Sequence, residues 1–182
     1  MQKTILGGVL ILCAVSAQTQ TNRNTAPAIY IGAADIQATL KKAPADSVTD
    51  QAIRTAAVGN LNVGVAVVHR SAKAAQTSVA HDELTEIYHI LAGSGTLVTG
   101  GTLTKPERFP ADSQTVKELA GPSMRGTGLE NGVSRNVRAG DVVIIPAGTG
   151  HWFSSIDGAI DYEVMRVDPG KLLSLCFSKF CK

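Results

Sequence analysis

The side chains of residues 61–70 fall on two alternating faces, with a period of two. This pattern limits the possible folds more than any other feature of the sequence. One face of the segment carries Val63, Val65, Val67 and His69. A period of two is the repeat of a β-strand, because successive side chains point to opposite sides of a sheet. We expect the valine face to point into the interior of the protein.

The rest of the chain favours further short strands joined by tight turns. The sequence has 18 glycines and 7 prolines, and only 4% of its residues are aromatic, so valine, isoleucine, leucine and alanine must form the core. Further strands are predicted at 86–92, 95–99, 141–145 and 159–167. The run 142–145 is apolar on both faces, which is typical of a strand between two packed sheets. A short helix is predicted from Asp35, acting as its N-cap, to a point before Pro44. The fold class is therefore all-β with a short N-terminal helix.

The N-terminus has the pattern of an export signal. Residues 1–17 combine Lys3, an apolar run too short to span a bilayer and small residues at the cleavage position, so we expect a signal peptide. Residues 18–28 form a polar, flexible leader. The mature protein is then periplasmic or secreted and has no membrane segment. Residues 29–170 are enough for one domain.

Two cysteines remain once the signal peptide has removed Cys13. Cys176 and Cys181 lie in the C-terminal tail, residues 171–182. An oxidising compartment allows a disulfide between them. The alternative is two unpaired thiols, because a separation of five residues suits a bridge only with the right local turn.

A long polar segment, residues 100–138, separates the strands predicted at 86–92 and 95–99 from those predicted at 141–145 and 159–167. It contains three prolines and no clear periodicity, so we expect an insertion that acts as a lid or is mobile. Arg125, Arg135 and Arg138 lie in or beside it. They could meet an anionic substrate at a pocket mouth, or they could form a dispersed solvated face.

Two segments carry the chemistry. The first runs from His81 through Glu86 to Gly93, and the second from Gly140 through Pro146 and Gly148 to His151. Together they resemble the two motifs of the cupin superfamily, and the second motif is the more specific of the two. The resemblance implies a double-stranded β-helix, or jelly-roll barrel, with a pocket inside. It also implies a divalent metal ion (manganese, iron, nickel, copper or zinc) and a homodimer.

The resemblance assigns the metal ligands as His81, Glu86 and His151. The first histidine of the family's first motif is absent, because Val79 stands in its place. Two imidazoles and one carboxylate can still hold a first-row divalent ion and leave positions open for water or substrate. The alternative is a polar pocket that binds a ligand without a metal.

Four further residues are predicted to line the pocket: Val79, Tyr88, Phe153 and His69. His69 could be a substitute ligand or a satisfied residue at the rim, and Tyr88 could supply an acidic hydroxyl or pack in the core. His89 should face outward, because it is an odd number of residues from Glu86. No catalytic residue is assigned.

The net charge of +2 and the absence of a basic helical motif argue against nucleic-acid binding. The sequence therefore predicts an exported cupin-like protein that binds a small molecule, as a metal-dependent oxygenase, isomerase or lyase. The alternative is a non-catalytic binding or structural protein with a degenerate metal site. The fold alone does not choose between them.

Overall fold

The computed structural model describes residues 27–175. One helix, α1 (Ala33–Leu40), precedes the strands, and a single π-helical turn occupies Val116–Ala120. The strands are β1 (Val48–Val58), β2 (Leu61–Ser71), β3 (Ser78–His81), β4 (Thr85–Thr99), β5 (Thr102–Leu103), β6 (Glu107–Arg108), β7 (Ser123–Gly126), β8 (Leu129–Glu130), β9 (Val133–Arg138), β10 (Val142–Ile145) and β11 (His151–Asp168). The prediction of an all-β fold with one short helix is confirmed.

Part of the predicted organisation lies outside the described residues. This applies to the signal peptide, to the leader as far as residue 26, and to Cys176 and Cys181. Within residues 27–175, no helix is both long enough and apolar enough to cross a membrane.

Helix α1 packs against β1 and β2 and begins one turn earlier than its predicted cap. Gly32 occupies the N-cap position, and the carboxylate of Asp35 accepts a hydrogen bond of 3.3 Å from the Gly32 backbone N–H. The prediction of Asp35 as the N-cap is therefore wrong. Asp35 stabilises the same helix end from the third helical position, where a carboxylate also favours the helix dipole.

Two long antiparallel strands, β4 and β11, build the barrel. Both bend near their middle, where Gly93 and Gly158 have φ angles of 77°. A Cβ atom on Gly93 would collide with the carbonyl oxygen of Ala159, so the bend requires glycine at that position. One half of β11 pairs with β2, and its other end reaches β3. β4 pairs with β10 in its first half and with β9 in its second half.

The core lies on the even-numbered face of β2. Ala66 and Val68 belong to one buried cluster with Tyr162 and Val164 of β11. The prediction that Val63, Val65, Val67 and His69 face the barrel interior is therefore wrong. The odd-numbered face of β2 is the more apolar one by sequence, because the even-numbered face has only Ala66 and Val68 as apolar side chains. Hydrophobicity alone therefore points to the wrong face.

His69 lies on the outer face of the sheet, where it pairs with Asp161. Its Nδ1 is 2.7 Å from the Asp161 carboxylate, and its Nε2 is 3.2 Å from the Ala45 carbonyl oxygen. Burial opposes protonation, but the hydrogen bonds to Asp161 and Ala45 outweigh it and raise the pKa of His69. His69 is thus a satisfied residue outside the barrel interior.

This pair predicts a small pH dependence of stability. The folded-state pKa of His69 is above its unfolded value, so the stabilisation is complete below the unfolded pKa of about 6.5 and is lost as the pH rises through the folded pKa. We expect His69→Gln to lower the free energy of unfolding by about 0.5–1 kcal/mol at pH 6 and by less at pH 9. Urea denaturation of both proteins at the two pH values checks this. An equal or larger loss at pH 9 would contradict it.

Strand β10 differs from its prediction as a strand buried on both faces. Val142 and Ile144 are 60% and 66% exposed, whereas Ile145 is 2% exposed. β10 pairs only with β4 among the described strands, so it lies at a sheet edge and turns one apolar face outward. The prediction of two buried faces is wrong.

Residues 100–138 contain regular structure, contrary to the expectation of an insertion without clear elements. β7 pairs with β3, β9 pairs with β4, and β5 and β8 form a separate two-stranded sheet. β7 and β9 thus belong to the main sheet. Several of these strands have only two residues, too few to show a period of two.

Candidate metal centre

The three predicted metal ligands meet in the barrel interior. His81 is the last residue of β3, Glu86 is the second of β4 and His151 is the first of β11. Strand β11 pairs with β3 and with β4, and this pairing brings the three strand ends together. The residues are 6%, 1% and 2% exposed, respectively. One candidate ligand atom from each lies within 4.8 Å of the other two.

Both histidines aim Nε2 at the same carboxylate. His81 Nε2 lies 3.4 Å from Glu86 Oε1, and His151 Nε2 lies 3.2 Å from Glu86 Oε2. Two atoms bonded to one ion at about 2.0–2.1 Å are separated by about 2.8–3.4 Å, from adjacent octahedral to tetrahedral positions. The observed separations therefore match the spacing of ligands around one metal ion.

The backbone fixes the tautomer of each histidine. His81 Nδ1 lies 3.0 Å from the Ala120 carbonyl oxygen, and His151 Nδ1 lies 3.0 Å from the Thr149 carbonyl oxygen. A carbonyl oxygen only accepts, so both Nδ1 atoms carry hydrogen, and a neutral ring in this tautomer presents a bare Nε2. Ser123 adds to this at His81, because its hydroxyl lies 2.8 Å from Nδ1 and also donates to the Ala120 carbonyl oxygen.

His151 Nε2 is buried and makes no hydrogen bond. Buried polar atoms in folded proteins are nearly always satisfied, so this nitrogen, 3.2 Å from a carboxylate oxygen, needs either a proton of its own or a cation between the two atoms. The residues present therefore fit a divalent ion. Val79 lies directly opposite His151 in the pairing of β3 with β11, where its isopropyl group offers no ligand atom. The protein offers three candidate ligands at this point.

Arg166 holds the Glu86 carboxylate from the other side. Its Nε donates to Glu86 Oε1 at 2.8 Å, and its two terminal nitrogens bind Asp50 at 2.5 and 3.3 Å. Arg166 is 5% exposed. Burial alone would raise the pKa of Glu86, but its close neighbours His81, Arg166 and His151 hold it well below its usual range. Glu86 is therefore a carboxylate at neutral pH.

The chain was compared with family models, with curated proteins and with solved structures. No family model and no curated protein matches the chain. Among solved structures, it is similar to DMSP lyase DddQ from Ruegeria pomeroyi DSS-3 (18% identity, 65% of this chain and 46% of that one, TM-score 0.41). It is also similar to a recombinant oxalate oxidase in complex with glycolate (19% identity, 71% of this chain and 54% of that one, TM-score 0.44). A third similar structure is vicilin from Corylus avellana (14% identity, 59% of this chain and 24% of that one, TM-score 0.38). The chain spans about half the length of the first two.

The mostly β structure agrees with the resemblance of the two sequence motifs to those of cupins. These motifs, which are 47 residues apart from Gly93 to Gly140, meet at one buried point. The long strands β4 and β11 carry Glu86 and His151, and the short strand β3 carries His81.

Of the four predicted pocket-lining residues, some lie at the candidate metal centre and the others lie elsewhere. Tyr88 is part of the centre, because its hydroxyl donates to Glu86 Oε2 at 2.9 Å and its ring packs edge-on against His151. Burial and the Glu86 charge raise the pKa of Tyr88 well above its usual value, so the hydroxyl keeps its proton. Phe153 lies in the core against Tyr162. Val79 faces the same side as His151, whereas His69 lies outside the barrel.

Other polar residues near the motifs have partners away from the centre. His89 lies 3.2 Å from Glu163, and Asp82 accepts a hydrogen bond of 2.6 Å from Arg108 in the turn before β4. Arg125 pairs with Glu107 at 2.9 Å. These contacts place Asp82 and Arg125 at exposed positions, outside the buried site.

The sequence reasoning missed Arg166 and Asp50. A signal for Arg166 exists, because it continues the inward-facing series of β11 that also contains Ile160, Tyr162 and Val164. A charged residue on an apolar strand face indicates a buried partner of opposite charge. Asp50 has no such signal, since its strand shows no clear alternation.

Proposed function

We propose that this is an exported protein that binds a divalent metal ion with His81, Glu86 and His151 and acts on a small molecule beside it. The observation that supports this most is the pair of bare Nε2 atoms, both fixed by backbone carbonyls and both aimed at one carboxylate. Such an arrangement is unfavourable with neutral histidines unless a cation lies between the acceptors.

A bound first-row divalent ion would supply Lewis-acid or oxygen-activating chemistry, which suits an oxygenase, isomerase or lyase. The chain's own groups prepare the site for it. Ala120 and Thr149 orient the imidazoles, and Arg166 keeps Glu86 ionised and fixed in position. Tyr88 retains its hydroxyl proton and directs it to Glu86. Three protein ligands leave room for water and a small molecule.

Metal content tests this proposal directly. We expect purified, dialysed protein to retain about one first-row metal ion per chain, and His151→Ala or His81→Ala to lose it. His89→Ala is the matched control, because His89 pairs with Glu163 on the outer surface, and it should keep the ion. Elemental analysis gives the stoichiometry. A wild-type protein without metal, or unchanged content in His151→Ala, would contradict the proposal.

A second candidate is a non-catalytic binding protein without a metal. The observation that favours it is that both Glu86 oxygens already accept a hydrogen bond, one from Arg166 and one from Tyr88. With one histidine protonated, the network could then be stable by itself. Turnover or oxygen uptake with small phenols, keto acids or sugars, lost in Glu86→Gln, would rule this candidate out.

We also propose a homodimer, in which the exposed side of β10 is covered by a second copy. Val142 and Ile144 are the apolar side chains on that side, and β10 lies at a sheet edge. We expect wild-type protein to sediment as a dimer at micromolar concentration and Val142→Lys to sediment as a monomer. A wild-type monomer would contradict the proposal.

A further inference from the structure

A cavity of about 190 Å³ lies where β9 and β10 approach each other along β4. Aliphatic side chains form most of its wall: Leu97, Val137, Val143 and Ile145. Two threonines, Thr99 and Thr149, also line it. The volume is below the roughly 300–1,000 Å³ of pockets for drug-sized ligands, so the occupant must be small.

Arg135, an exposed residue of β9, supplies the charge at the edge of this cavity. It lies directly opposite Leu97 in the pairing of β9 with β4, and opposed residues of an antiparallel pair project to the same side. Arg135 therefore shares the face of Leu97, which is 2% exposed in the core. Within residues 27–175, no carboxylate forms an ion pair with Arg135 and no hydrogen bond engages its side chain.

The cavity adjoins the candidate metal centre through two strand pairs. Thr99 lies opposite His151 in the pairing of β4 with β11, and Ile145 lies opposite Glu86 in the pairing of β10 with β4. The backbone of Thr149 also receives the hydrogen bond that orients His151. A molecule in the cavity is therefore separated from the predicted ligands by single side chains.

We propose that this cavity binds a small aliphatic carboxylate, with the carboxylate on Arg135 and the alkyl chain against the aliphatic wall. An unpaired guanidinium beside an apolar, concave surface is complementary to such an amphipathic monoanion, because guanidinium and carboxylate match in charge and geometry. The apolar wall excludes polyanions and sugars, which would lose hydrogen bonds to water there. This proposal rests on the proposed function in one respect: it identifies the carboxylate in the cavity with the small molecule on which the metal centre acts.

Calorimetric titration of chelator-treated protein with butyrate and butyramide tests the site without any metal. We expect millimolar binding of butyrate and at least tenfold weaker binding of the neutral amide. Arg135→Met should weaken butyrate binding by about 10- to 100-fold, the size of a charge-assisted hydrogen bond. Arg138→Met is the matched control, because Arg138 is, like Arg135, an exposed arginine of β9 but lies outside the cavity lining, and it should bind within twofold of wild type.

Val143→Phe provides a second variant that fills the cavity and leaves Arg135 in place. It should abolish butyrate binding. The proposal is overturned if butyrate does not bind, if butyramide binds equally well, or if Arg135→Met or Val143→Phe binds like wild type. Metal content in Arg135→Met should equal that of wild type, so loss of carboxylate binding and failure of the metal proposal give separate results.

Discussion

Replacement of Arg166 by methionine will lower the free energy of unfolding by about 3–5 kcal/mol, the usual loss when one partner of a buried ion pair is removed. Arg166 is 5% exposed and is the only side chain among the described residues that joins Asp50 to Glu86. Methionine has a similar length but no donors. Glu86, 1% exposed, would then keep its charge next to two histidines without its strongest donor. Urea denaturation followed by circular dichroism measures the loss.

Two comparisons separate this effect from a general loss of arginine. Arg125→Met breaks an exposed pair with Glu107, so we expect it to cost about 0.2–1 kcal/mol. The double variant Glu86→Gln with Arg166→Met removes both partners, and it should be less destabilised than the sum of the two single variants. A cost below about 1 kcal/mol for Arg166→Met, comparable to an exposed pair, would show that the buried pair is not essential to the fold.

The sequence predicted the class of fold and the three convergent ligands because both depend on local signals. The alternation in 61–70 indicates a strand wherever it lies, and glycine, proline and histidine at fixed spacing mark a motif. It did not predict which face of β2 is buried. Val63, Val65 and Val67 are as apolar as the residues that face the core, so the choice depends on how β11 lies against β2.

Residues 100–138 show the other limit of sequence reasoning. β7 has four residues and its pairing partner β3 lies more than 40 residues earlier, so the strand exists because β3 is there to pair with it. Ser123, the first residue of β7, also bonds the ring of His81. The segment read as an insertion thus supplies part of the support for the metal ligand. Pairing between distant segments leaves no periodic trace in such short stretches.

Removal of the metal ion will lower the stability of the wild-type protein but not that of Glu86→Gln. A ligand present at about 100 times its dissociation constant stabilises the folded state by about 2.7 kcal/mol, because it binds only there. For a domain of this size, that corresponds to a fall in Tm of about 5–10 °C after chelation. Differential scanning calorimetry with and without chelator, followed by addition of manganese, iron, nickel, copper or zinc in turn, measures the loss and its recovery.

Glu86→Gln makes this measurement specific to the centre. Glutamine keeps the volume and the oxygen that faces Arg166 or Tyr88, but it removes the charge that attracts the ion. The Tm of the Glu86→Gln variant should be low and unaffected by chelator or metal. If chelation lowers the Tm of the wild-type protein and of Glu86→Gln equally, the ion binds elsewhere. If no metal raises the Tm of chelated wild-type protein, then Arg166, Tyr88 and the two histidines satisfy Glu86 by themselves, and the absence of the fourth ligand at Val79 marks a site that has lost its metal.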